Sequence, residues 1–206
     1  MTVTIGTGAI EQDRLTQPHL NCNLARSTIP GMSDDLRYPV GKWVRNPSAD
    51  ASTSAPMIEQ IAAAPAALAA AVKGLTDAQL DTPYRDGGWT PRQIVHHIAD
   101  SHMNAYIRFK LCMTEEQPTV KPYNEKLWAE TIDGKTAPVG VSLSLIDTLH
   151  NRWVQFLRSI DKGAYGRKVV HPENGPMSLI EMLQLYSWHG RHHTAHIAGL
   201  RQRMGW

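Results

Sequence analysis

The C-terminal stretch WHGRHHTAHIAGLRQRMGW carries His189, His192, His193 and His196, four of the chain's ten histidines. If it is helical, about 100° of rotation per residue gathers all four on one arc of about 100°. Two i,i+4 pairs result, His189/His193 and His192/His196. Either can present two imidazoles to one metal ion, because residues four apart are neighbours on a helix. The spacing leaves both pairs open. A pair alone holds an ion poorly, so a third imidazole must come from a facing element. Gly190, Arg191 and His192 separate His189 from His193, so the HExxH of zinc peptidases is absent. No carboxylate-rich pattern of the di-iron kind occurs. Three neutral imidazoles would leave an ion's charge uncompensated, which favours hydroxide or a thiolate at an open fourth position. A catalytic zinc with three protein ligands and a water of pKa about 7 meets that description. Because each ligand must be neutral, an unperturbed imidazole pKa of about 6.5 predicts that affinity falls as pH drops through about 6. A titratable surface cluster is the plainer alternative.

The facing element is legible upstream. Thr90-Pro91-Arg92-Gln93 is a capping box with Pro at the first helical position. The helix it opens is predicted to reach about Thr114. Gln93, His97, Asp100, Ser101, Asn104 and Arg108 form a continuous polar stripe along it. Ile94, Ile98, Ala105 and Phe109 border the stripe on one flank, and Met103, Ile107 and Leu111 on the other. Apolar residues on both sides predict that the stripe points into a bundle. Buried polar groups are costly unless paired or used. His96 and His102 fall off the stripe and read as surface or packing groups. His192, His196 and Asp100 are the candidates to hold a ligand's second ring nitrogen. Arg108 is a candidate to hold an anionic group. Trp89 and Trp188 stand beside these histidines, with packing as their default role.

The rest of the chain supplies the scaffold. PMIEQIAAAPAALAAAVKG is helical, with Pro65 expected to break it, kink it or start a new helix, and Gly74 to end it. A third helix runs from about Ser142 to Ser159. Ser178-Leu179-Ile180-Glu181 is a second capping box, opening a helix to about Met204. PYNEKLWAETIDGKTAPVG reads as a long connection, and DKGAYGRKVVHPENGP as a loop with room for a short hairpin. The outcome is an all-α four-helix bundle with long connecting loops. Residues 1–36 lack any sustained period and read as a disordered or extended tail, with Met32 a candidate start; residues 37–206 form one metal-binding domain. The hydrophobic share of 42% and charged share of 19% suit a soluble globular protein. A net charge of +2 argues against a nucleic-acid partner. Two cysteines without a CxxC suggest a reducing cytoplasm. No run of about 18 apolar residues predicts a membrane span, and the N-terminus does not look like a signal peptide.

DTPYRDGGWTPRQIVHHIADSHMNAYIRFKL and the closing WHGRHHTAHIAGLRQRMGW resemble the DinB superfamily, specifically its YfiT-like branch. The resemblance covers about residues 36–206; only the N-terminal extension departs from it. It implies a four-helix bundle, usually a homodimer, with a metal held by three histidines. Zinc is the expected ion, and nickel also fits such a site. It implies the activity of a metal-dependent hydrolase or of a bacillithiol-type S-transferase. The family's first ligand lies eight residues after the Trp that precedes the helix, which from Trp89 is His97, not His96. Its C-terminal pair corresponds to His189 and His193, with His196 at a later position.

Three functions share these residues. A hydrolase would use the metal to activate water, with His196 or Asp100 moving protons on a small-molecule substrate. A transferase would bind a low-molecular-weight thiol at the metal, with Arg108 holding its carboxylates. A non-catalytic bundle would close the site with a fourth protein ligand. The sequence offers a spare histidine but no nearby cysteine, so an open site is expected. Deleting residues 1–31, which have no periodic apolar face, should leave fold and metal content intact. A melting temperature lowered by ten degrees or so, more than about 1 kcal/mol produces in a domain of this size, would show that the tail packs on the bundle.

Overall fold

The computed structural model describes residues 35–206, so all but the last two residues of the predicted tail lie outside it. Four long helices dominate: α1 (Ser54–Val72), α3 (Pro91–Thr114), α6 (Val139–Arg158) and α7 (Leu179–Met204). Between them lie three short ones: α2 (Asp77–Leu80), α4 (Glu125–Ala129) and α5 (Ile132–Thr136). A two-stranded antiparallel hairpin, β1 (Lys168–His171) and β2 (Gly175–Ser178), precedes α7.

The helix starts follow from local chemistry. Thr90 and Ser178 each accept from the backbone N–H three residues on, and Gln93 and Glu181 reach back to the cap N–H. Both predicted capping boxes therefore form and set the phase of α3 and α7. Gly205 stops α7 in the left-handed region at φ 71°, where a Cβ would be strained. α6 begins at Val139 rather than Ser142, with Pro138 preceding it. Ser142 is buried and serves as a partner for His96 instead of a cap. Helix α1 runs unbroken through Pro65. The long connection after α3 holds α4 and α5, each too short to show a hydrophobic period in sequence.

In the bundle, α1 packs on α6 and α7, and α3 packs on the same two helices. Consecutive long helices α1 and α3 are thus diagonal, as are α6 and α7. Among the described residues one helical segment, Ala51–Val72, has the length and apolar composition of a membrane span, although Glu59, Gln60 and Pro65 interrupt its apolar run. Here it buries Ile58, Ile61, Leu68 and Val72, and pairs Glu59 with Arg158 at 2.7 Å on its outer face.

The core is divided. One apolar cluster gathers Ile61, Phe109, Trp153, Leu183 and Tyr186. The other gathers Leu68, Ile94, Ile98, Ile146 and Ile197. Between them lies a layer of histidines from three helices. The stripe of α3 does point inward: Gln93, His97 and Ser101 are buried. The expected second apolar flank is not built as predicted, since Ile107 is 51% exposed. Cover comes from α4 and α5 instead, which pack on α3; the Gln93 amide donates to the Ala129 carbonyl at 2.9 Å.

Candidate metal centre

Helices α3 and α7 bring His97 Nε2 and His189 Nε2 to 3.2 Å of each other. The His193 ring centroid lies 4.7 Å from that of His97 and 4.5 Å from that of His189. Each of the three offers a nitrogen within 4.8 Å of the others'. Ligands about 2.0–2.1 Å from a tetrahedral zinc stand about 3.3 Å apart, so the spacing of His97 and His189 suits one ion. His192, His193 and His196 also meet the 4.8 Å criterion, but all from α7. Only the first trio joins two helices.

The imidazoles are poised to be neutral. Burial, aided by His192, pushes His97 down to about 4. Burial and neighbouring rings, His97 first for His189 and His189 first for His193, hold both well below the ordinary histidine range. Burial takes His192 to about 3 and His196 to about 4. Proton competition for a metal is therefore shifted below the pH of about 6 expected of unperturbed imidazoles.

The histidines of α3 that lie off the stripe are not surface groups. His96 is buried, with Nε2 donating to the Ala137 carbonyl at 3.1 Å and Nδ1 beside Ser142 Oγ at 2.7 Å. That arrangement ties α3 to the start of α6. His102 is fully buried and sits behind the centre: its Nε2 is 3.2 Å from His189 Nδ1. Its Nδ1 is 2.7 Å from His150 Nε2, and His150 Nδ1 donates to the Ile61 carbonyl at 2.8 Å. The partner of the His189 ring is thus His102, rather than His192, His196 or Asp100. His150 went unread in the sequence. Its signal was a polar residue in register with Ile146, Trp153 and Leu157 on the buried face of α6.

The centre opens on a cleft of about 660 Å³ lined by Tyr38, Tyr84, Trp89, His192, His193 and His196. Trp89 tilts over His97 at 4.6 Å, and Trp188 stacks on His192 at 4.2 Å. The segment before α1 runs antiparallel along α7. Arg45 pairs with Glu181 at 2.7 Å, the Gly41 carbonyl accepts from Trp188, and the Arg37 carbonyl accepts from His196 Nε2 at 3.2 Å. Tyr84 stacks on His196 at 4.1 Å. His196 Nδ1 stays buried without a partner, as do His192 Nδ1 and His193 Nδ1. A second hollow, about 570 Å³ at Arg45 and Glu181, contains no histidine.

Asp100 lies one turn after His97, partly exposed; burial and then Asp133 raise its pKa to about 6. Arg108 donates to Tyr186 OH at 3.2 Å and to the Lys121 carbonyl at 3.1 Å. It reaches the α7 histidines through Tyr186, whose ring stands 6.0 Å from that of His189.

A model of the DinB superfamily matches residues 60–197. The chain belongs to the DinB superfamily. A relative from Bacillus mycoides is 52% identical over 172 residues, spanning 84% of this chain and 99% of its own. One from Bacillus cereus is 50% identical over 173 residues, with the same shares covered. Both bear the name "Putative metal-dependent hydrolase". Among solved structures, YfiT from Bacillus subtilis is described as a probable metal-dependent hydrolase with an unusual four-helix bundle topology. It matches with a TM-score of 0.80 at 49% identity, over 83% of this chain and 98% of its own. This DinB protein likewise has four long helices as its frame.

The depressed imidazoles carry a consequence for stability. Their folded pKa values lie below the unfolded value of about 6.5, so the unfolded chain takes up protons first as the pH falls. Their contribution is complete above about pH 6.5 and lost as the pH approaches about 4, where His97 and His196 themselves protonate. Asp100, shifted up, has the opposite sign and offsets one of them. The urea midpoint of metal-free protein should therefore be level above about pH 6.5 and fall steadily from there towards 4.5, before most carboxylates titrate. A midpoint that stays level across that interval would show that these rings are not held neutral by the fold.

Proposed function

We propose that the protein is a metal-dependent hydrolase in which His97, His189 and His193 hold one divalent ion, zinc by choice of donor. The observation carrying this reading is the approach of His97 Nε2 to His189 Nε2 at 3.2 Å, from two different helices, beside a cleft. The donor set fits: three imidazoles held neutral by burial. The name of the Bacillus mycoides relative points the same way. When bound, such an ion supplies Lewis acidity, polarising a substrate oxygen and lowering the pKa of water to about 7.

The protein's own groups do the rest. The Arg37 carbonyl fixes the proton of His196 on Nε2, which leaves the Nδ1 lone pair free to accept a proton. Asp100, with its pKa raised to about 6, can hold or release a proton near neutrality. Tyr38, Tyr84 and Trp89 wall the cleft and limit water. Arg108 steadies Tyr186 beside His189 and retains a charge for an anionic substrate group. A second reading, a thiol S-transferase, is favoured by Arg85 and Lys126 around the cleft, cations suited to the carboxylates of a low-molecular-weight thiol.

Metal analysis of purified variants tests the ligand set. His97→Ala, His189→Ala and His193→Ala should each be empty at neutral pH. His96→Ala, His192→Ala and His196→Ala should retain about one ion per chain, with His196→Ala turning over more slowly. Full occupancy in His189→Ala together with an empty His196→Ala would move the site to the second trio.

Turnover of generic esters and electrophiles, with and without added thiol, separates the two activities. Thiol-independent ester cleavage is the expected result. Loss of electrophile only when thiol is present would establish the transferase instead.

A further inference from the structure

We propose that Pro65, through the Ile61 carbonyl and the rings of His150 and His102, sets which nitrogen of His189 is free to bind a metal. The starting point is an anomaly: a proline inside an unbroken helix. Within a helix the N–H of residue 65 would bond the carbonyl of residue 61. Proline has no N–H, and its ring crowds that same carbonyl. The Ile61 oxygen is left for another donor, and His150 Nδ1 lies 2.8 Å from it.

From there each proton follows from the last. A carbonyl only accepts, so His150 carries its proton on Nδ1. In a neutral imidazole the other nitrogen is then bare. His150 Nε2 therefore accepts from His102 Nδ1–H across 2.7 Å. That leaves His102 Nε2 bare, to accept from His189 Nδ1–H across 3.2 Å. His189 Nε2 in turn holds a lone pair, and it faces His97 Nε2 at 3.2 Å. Three rings in series are thus held as the Nδ1–H tautomer, the opposite of the form that neutral histidine favours in water. His102 and His150 are buried, and their hydrogen-bond partners are imidazoles and a carbonyl, with no carboxylate to compensate a second proton, so each ring keeps one.

The packing around the relay is fitted to it. Trp153 stands edge-on to both His102 and His150. A Cβ on Gly190 would meet Ala64 Cβ at 3.3 Å and His102 Cε1 at 3.5 Å. Small residues at 64 and 190 thus let α1 and α7 close on the His102 ring. Pro65, His102 and His150 are positioning residues: none reaches the metal position, and each acts through the next. Ligand-orienting groups of this kind are worth about 10–100-fold in metal affinity.

The metal part of the inference rests on the ligand reading above; the tautomer part does not. Nitrogen-15 NMR of the imidazoles in metal-free protein should therefore show His102, His150 and His189 in the Nδ1–H form. Pro65→Ala returns an N–H to the Ile61 carbonyl. It should make these rings tautomer mixtures and weaken zinc binding, in competition with a chelator, by about tenfold or more, while α1 melts no earlier. A proline that merely shapes α1 would shift melting and leave tautomers and affinity alone, which would overturn the proposal. His150→Gln, able to donate to Ile61 and accept from His102, should keep affinity within a few-fold. His150→Leu should lose about 10–100-fold, and wild-type affinity in folded His150→Leu would also overturn it. If wild-type protein bound no zinc, the ligand reading would fail, and the NMR tautomers of wild type and Pro65→Ala would still decide the relay.

Discussion

The structure depends on one constraint: a layer of neutral imidazoles is buried across the middle of an apolar bundle, and its ring nitrogens need partners. A buried polar group without one costs about 1–3 kcal/mol, and the layer lies between two predominantly apolar clusters. His102 and His150 meet the constraint by bonding in series, ending on a backbone carbonyl of α1. The layer so involves all four long helices. Displacing any one of them would strand a nitrogen in the core.

Several oddities of the helices follow from it. Proline in α1 is ordinarily a defect, costing about 3 kcal/mol in a helix interior; here the carbonyl it strips of an intrahelical partner terminates the histidine series. Glycine inside α7 loses helix propensity and lets its backbone come close to both Ala64 and the His102 ring. The polar stripe of α3 would lie open on a plain bundle. The segment 125–136 folds over it as two short helices, and Gln93 bonds the backbone of that segment.

The two sides of the layer differ. On the α1–α6 side, both nitrogens of His102 and of His150 are engaged. On the cleft side, His192, His193 and His196 each leave Nδ1 unpartnered and buried. The first arrangement fixes orientation. The second leaves rings with one nitrogen uncommitted along the wall of a cleft of about 660 Å³. The segment 35–53 holds that side in shape, because the Arg37 carbonyl orients His196 and the Gly41 carbonyl steadies the Trp188 ring beneath His192.

Much of this was legible in the chain itself. The capping boxes at Thr90 and Ser178 are local, so the starts of α3 and α7 could be read to the residue, and with them the arcs that hold His97, His189 and His193. The four-helix class followed from helical periods, which are also local. What depended on the tertiary structure were relations between distant segments. His150 lies 48 residues from His102 and Ile61 lies 89 residues from His150, and no spacing rule links them. His102 therefore reads as a surface or packing group, and Pro65 as a break, a kink or a new start in α1. The second flank of α3 was misjudged because its cover comes from α4 and α5, whose five residues apiece show no period. The pKa values of the histidines were likewise out of reach of sequence, since burial sets them, and burial is decided only when all four helices meet.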